Sequence, residues 1–241
     1  MLSNKFKVNY SVGAVANGVK TDTFTFFLLF FYSNIIGLNP GLAGSAIFIA
    51  LCIDAITDPL MGTISDRTNS SFGRRHPYMF ISFIPMSLGY ILLFAPRQEW
   101  DMSQTDLFIW MTIFTVITRI GMTLFDIPHR AFGGEVTKDY KERTILMSWR
   151  EMFAWVAGLS NAFLGYGVFF VSTPEFPQGQ LNPDVWFPFA LTGAAIMVFS
   201  VLYSSLSTKD EINSLSKWSG AISLKDIFNC LLYTSPSPRD S

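Results

Sequence analysis

The chain has 241 residues, half of them hydrophobic and 24 of them phenylalanine, and only 15% are charged. A soluble domain carries about a quarter charged residues, so this composition points to a membrane solvent. A formal net charge of -1 gives no basis for a nucleic-acid partner, and two cysteines without ligand spacing exclude a disulfide framework or a cysteine metal centre.

Residues 1–10, "MLSNKFKVNY", run into an apolar stretch without a small-residue cleavage site, so they read as a cytoplasmic N-terminus and not as a signal peptide. Apolar runs of bilayer-spanning length then follow at 11–36, 41–64, 78–96, 107–131, 146–172 and 186–206. Breaker chemistry separates them, as in "GLNPG", "APRQEWD" and "STPEFPQGQLNPD". They are too long and too continuous for barrel strands, and predict an all-α membrane protein with a six-helix transmembrane bundle over 11–207.

Lys5, Lys7, Arg67, Arg74, Arg75, Arg130, Lys138, Lys141, Arg143, Lys209, Lys217 and Lys225 fall on one side of these spans, whereas the other side has Arg97 beside Glu99, Asp101 and Asp106. The positive-inside rule then places both termini in the cytoplasm of a multi-pass protein of the cell (inner) membrane. Residues 208–229 begin a central cytoplasmic loop. The end, "CLLYTSPSPRDS", matches at Cys230 to Asp240 the translation of a transposon-type sequencing adapter, so 230–241 are expected not to be native.

Charge inside the spans carries the functional reading. An ionised group at a helix centre costs about 2.5 to 3.5 kcal/mol on the insertion scale and marks an ion or substrate pathway. The candidates are Lys20 and Asp22, Asp54 and Asp58, Arg119 and Asp126, and Arg150 and Glu151. Asp54 and Asp58 share a helix face with Thr57 beside them, and their repulsion calls for a cation such as sodium, or a shared proton. Alternatively they pair with Arg119 or Lys20 and hold helices together. Pro59 removes the N–H that would close on the Ala55 carbonyl.

In "RIGMTLFDIPHR", Arg119, Thr123 and Asp126 share a face, and Asp126 can complete an oxygen cage with Asp54, Asp58 and Thr123. Arg119 either neutralises a carboxylate or contacts an anionic substrate. Asn17, Lys20 and Phe24 share another face, with Asp22 pointing elsewhere. His129 reads as an interfacial residue. Asp66, Arg67, Arg74 and Arg75 form a loop that is either a positive-inside anchor or a conformational latch. No loop carries a nucleophile–base pair or a metal motif, so neither an enzyme nor a cofactor is expected beyond a coupling cation.

The motifs "DAITDPLMG", "SDRTNSSFGRRHPYM", "FDIPHRAFGGEVTKDYKERT" and Arg150 in "SWREMFAWVAGL" resemble the glycoside-pentoside-hexuronide cation symporters of the major facilitator superfamily. The resemblance implies the N-terminal half of a twelve-helix transporter that lacks its second six-helix bundle. It implies cation ligands at Asp54, Asp58 and Asp126, with Thr57 and Thr123 nearby, and substrate contacts at Asp126 and Arg150. The carboxylate by which melibiose carriers bind galactosides falls on Gly18 and its basic neighbour on Asn17, so a galactoside is not expected. Lys20, Arg119 and Arg150 instead suit a sugar acid or sulfated sugar. A lipid or lysolipid transporter of the same superfamily and a non-transporting membrane sensor or scaffold are the alternatives.

Overall fold

The computed structural model describes residues 2–68, 70 and 72–209; the expected adapter-derived end and most of the expected central loop lie outside these residues. Over the described residues all regular structure is helical, and each expected span is found as helix. α1 occupies 4–36 as successive α segments with π turns at Thr23–Phe27 and Phe31–Ile36. α2 is Pro40–Arg67, α3 is His76–Leu93, α4 is Gln104–Glu135, α5 is Tyr140–Phe169 and α6 is Trp186–Ser207. Five of the helical segments, starting with α2, are continuous enough, long enough and apolar enough to cross a membrane.

Caps, not hydropathy, set the helix ends, so α2, α4 and the start of α5 run past the apolar stretches. The Ser3 hydroxyl accepts from the Phe6 N–H at the start of α1, and Asn39 caps α2 with Pro40 in the first helical position. Ser103 and Asp106 form a reciprocal capping box on α4, and Asp139 accepts from two backbone N–H groups of α5. Gly37 closes α1 with φ 85°, a left-handed conformation that a side chain would strain. Both α2 and α4 continue through their internal prolines, Pro59 and Pro128.

The packing pattern is pairwise symmetric. α1 packs on α5 and α6, α4 packs on α2 and α3, and α3 meets α6. Exchanging each helix with the one three places away reproduces this set of contacts, the pattern of two inverted three-helix repeats. Small residues allow the closest approaches. A Cβ on Gly18 would lie 2.0 Å from the Ala154 carbonyl oxygen of α5.

One end of the bundle is an aromatic core. Phe27 and Phe31 of α1, Phe94, Phe170 and Phe189 surround the fully buried Trp186, whose indole N–H donates to the Gln180 carbonyl at 3.0 Å. The Phe-rich stretch of α1 is therefore divided: Phe27 and Phe31 are interior, while Phe26 is 66% exposed. Large apolar side chains such as Phe48, Ile56, Trp155, Phe163 and Phe199 also face outward, as expected where hydrocarbon is the solvent.

The Gly18 contact gives a direct test of the α1–α5 interface. Gly18→Ala is expected to destabilise the purified protein by about 1 to 3 kcal/mol through overpacking, read as a lowered thermal midpoint in detergent. Gly134→Ala, where an added Cβ meets nothing within 4 Å, is the control and is expected to be neutral or stabilising.

Candidate functional site

α1, α2 and α4 converge on a cavity of about 80 Å³ lined by Asn17 and Lys20, Asp54 and Asp58, and Arg119, Thr123 and Asp126, with Met122 and Ile127. Helical spacings of three and four put each set on one face, and the packing of α4 against α2 brings two of those faces together. The volume admits an ion with several waters. It is well below the roughly 300 to 1,000 Å³ of a typical small-molecule pocket.

The carboxylates in this cavity are not equivalent. Arg119 forms an ion pair and hydrogen bond with Asp54 Oδ2, linking α4 to α2, while Asp54 Oδ1 is buried without a hydrogen-bond partner. Arg119 here neutralises a carboxylate. Asp126 is held by two arginines: Arg150 reaches it from α5 with a fully buried side chain, and Arg130 Nε lies 2.7 Å from its other oxygen. Arg150 also pairs with its neighbour Glu151.

Among the described residues, Asp58 receives only the Thr123 hydroxyl, at 2.7 Å. Lys20 makes no ion pair among the described residues. Its ammonium lies 5.9 Å from the centre of the Phe24 ring, and the Arg119 guanidinium lies 5.6 Å from the same centre. Among the described residues, the cavity therefore has one carboxylate and one ammonium without an ion pair, Asp58 and Lys20.

Two expected participants stand apart. Thr57 turns its hydroxyl to the backbone oxygen of Asp54 at 3.4 Å and does not line the cavity. Arg150 is engaged with Asp126 and Glu151 and does not line the cavity. Among the described residues, no three acidic, histidine or cysteine side chains converge closely enough to hold a metal ion. The three-aspartate cage expected from spacing is thus not assembled here, because arginines occupy Asp54 and Asp126. Any cation held between α2 and α4 would depend on Asp58, the Thr123 hydroxyl and the free oxygen of Asp54.

The loop residues join a second cluster. Arg75 Nη2 contacts Asp66 at 2.6 Å and Glu135 at 2.7 Å, and Arg74 contacts Glu135 at 2.9 Å, so the ends of α2 and α4 are tied through the intervening loop. Burial pulls the Arg75 guanidinium below its usual range, opposed by Glu135 and Asp66; it stays charged. Arg67 is exposed and makes no ion pair among the described residues. Glu135 was not legible in the sequence as the centre of this cluster, because only the tertiary fold carries it back to the loop.

His129 is a correction. It is fully buried rather than interfacial, stacked between Tyr10 and Phe125, with Nε2 3.0 Å from the Tyr10 carbonyl oxygen. Sequence reasoning also missed Asn161, which donates to Asp22 at 2.7 Å. A lone asparagine in an apolar run was the available signal.

The Arg119–Asp54 pair should behave as a coupled unit. Asp54→Asn and Arg119→Gln are each expected to lower the thermal midpoint. The double variant is expected to recover about 0.5 to 3 kcal/mol relative to the sum of the two, as read by a double-mutant cycle of thermal unfolding.

Comparison with known proteins agrees with this architecture. A model of the family described as "MFS/sugar transport protein" matches residues 9–221. The chain is 31% identical over 164 residues to "Inner membrane symporter YicJ" of Escherichia coli (strain K12), covering 68% of this chain and 35% of that protein. It is 31% identical over 159 residues to "Putative glycoside/cation symporter YagG" of the same organism, covering 66% and 34%. It is 28% identical over 174 residues to "Sodium-dependent lysophosphatidylcholine symporter 1-A" of Danio rerio, covering 70% and 31%. The chain thus spans about a third of the length of each of these relatives. The family match over most of the chain, together with these likenesses, means that the protein belongs to the glycoside-pentoside-hexuronide cation symporters of the major facilitator superfamily, a family of transporters and not of enzymes.

Proposed function

We propose that this chain is the N-terminal six-helix half of a cation-coupled symporter that imports a glycoside, pentoside or hexuronide, with both termini in the cytoplasm. The observation that carries this reading is the cavity between α1, α2 and α4, with Asp58 and Lys20 on its walls and, among the described residues, without an ion pair. In the proposed mechanism sodium or a proton quenches Asp58, assisted by the Thr123 hydroxyl and, for sodium, by the free oxygen of Asp54. Removing that negative charge strengthens the field of Lys20 and Arg119 on an incoming substrate, so cation and sugar bind cooperatively. Lys20 and Asn17 present the substrate-facing polar groups on α1, and Asp126 and Arg150 follow when their ion pair opens.

Two features bear on substrate. No side chain fits at Gly18, where the resemblance would put a galactoside-binding carboxylate, and Lys20 offers positive charge to a carboxylate or sulfate. The cavity is too small for a sugar by itself, so the sugar site in this reading is completed by a second six-helix bundle. The share of the relatives' length that the chain covers supports that addition. The cluster of Arg74, Arg75, Asp66 and Glu135 then acts as a latch that breaks as access alternates.

A lysolipid is the second substrate class. It is favoured by the likeness to the lysophosphatidylcholine symporter and by an apolar groove of about 640 Å³ between α1, α5 and α6, lined by Val15, Val19, Phe153, Val156, Leu164 and Ile196. Uptake of lysophosphatidylcholine, with no uptake of any sugar or sugar acid, would transfer the assignment to that class.

Sodium or acidification is expected to raise the thermal midpoint of the wild-type chain and to leave Asp58→Asn unchanged; an equal rise in both would remove Asp58 from the cation site. In vesicles containing the full reading frame, Lys20→Gln is expected to weaken uptake of a uronic acid by about 1.5 to 3 kcal/mol and to spare a neutral sugar. Competition uptake with both sugars measures this difference.

A further inference from the structure

We infer that Asp22 is a second proton-binding site, separate from the Asp54 and Asp58 cavity and formed where α1 packs against α5. Asp22 lies near the middle of α1 and is 8% exposed. It continues the Val15 and Val19 face at helical spacing, turned away from Lys20 in the cavity wall. Gly158 of α5 allows the approach: a Cβ there would lie 3.6 Å from the Asp22 Cβ.

Asp22 makes no ion pair among the described residues. Asn161 Nδ2 donates to Asp22 Oδ2 at 2.7 Å and lies 3.2 Å from Thr23 Oγ1, and the Thr23 and Tyr90 hydroxyls are 2.7 Å apart. Asn161 is 2% exposed, and its Oδ1 is buried without a hydrogen-bond partner. An ionised carboxylate only accepts hydrogen bonds, whereas a protonated one also donates. Turning the amide over presents its orphaned oxygen to the O–H of a protonated Asp22, so the same residues satisfy the neutral acid.

Among the described residues, the surroundings offer no other counter-charge. α3 contributes Tyr90, and α6 has no charged residue between Trp186 and Ser207. On α5 the nearest charged residues are Arg150 and Glu151, the latter ten positions before Asn161 and so about 15 Å away along the helix. On α4, Arg119 is committed to Asp54 and Asp126 to Arg150 and Arg130. Asp22 is 8% exposed and already accepts the Asn161 N–H on one oxygen, and the proton is the ligand that can neutralise it there without a coordination shell. Separation of α1 from α5 would wet the carboxylate and release that proton, so its occupancy reports the packing of these two helices.

Infrared difference spectroscopy on the whole purified chain, with each measurement repeated in Asp58→Asn to remove the carboxyl that the proposed symport would protonate, tests this without using transport, so its outcome is independent of that symport. At about pH 7, where an exposed aspartate with a pKa of about 3.9 is ionised, a protonated carboxyl C=O band is expected. It should move with carboxyl-labelled aspartate, persist in sodium, vanish in Asp22→Asn and change frequency in Asn161→Ala. Absence of a protonated aspartate band in the wild type, its survival in Asp22→Asn, or its removal by sodium would overturn the inference. If Asp22→Asn does not fold, Asn161→Ala decides: a shifted band supports the site and an unshifted one refutes it.

Discussion

The cost of an unpaired charge in hydrocarbon governs the arrangement of this protein. At about 2.5 to 3.5 kcal/mol per ionised group at a helix centre, charges along the spans cannot be left to chance. Arg119 takes Asp54, and Arg150 and Arg130 together take Asp126. These pairs stitch α4 to α2 on one side and to α5 on the other. Truncating one partner would leave the other charge uncompensated, so the same contacts that orient the helices also oppose their separation.

What the pairs leave over is as informative as what they hold. Once the arginines are assigned, Asp58 and Lys20 are the charged cavity residues without ion pairs, one on α2 and one on α1. A site with one free charge of each sign can respond to a cation and to a polar or anionic ligand in turn. A fully neutralised cluster could not. The twofold pattern of helix contacts adds a mechanical side: α1 with α5 and α6 mirrors α4 with α2 and α3. The Glu135 cluster couples the loop to both α2 and α4.

Much of this was legible in order along the chain. Apolar run length gave the spans, because hydrocarbon thickness sets a minimum. Caps such as Ser103 with Asp106 were less visible, so α4 extends several residues beyond its apolar stretch. The faces of α1, α2 and α4 followed from spacing alone; that Asn17, Lys20, Asp54, Asp58, Arg119, Thr123 and Asp126 line one cavity is decided by how those helices pack. Thr57 departs because its hydroxyl is satisfied by its own helix backbone. His129 departs because ring stacking and contact with the Tyr10 carbonyl oxygen accommodate the imidazole in the interior.

The sequence by itself determined the solvent, the number of apolar spans and which polar residues share a helix face, since each depends on local periodicity and composition. Only the tertiary structure decided which charge neutralises which. That choice depends on helix rotation and on the close backbone approaches permitted at positions such as Gly18 and Gly158. The pairing of Asn161 with Asp22 and the gathering of Asp66, Arg74 and Arg75 around Glu135 belong to the same category. Contacts between residues far apart in sequence carry no local period, so they exist only after the helices have packed.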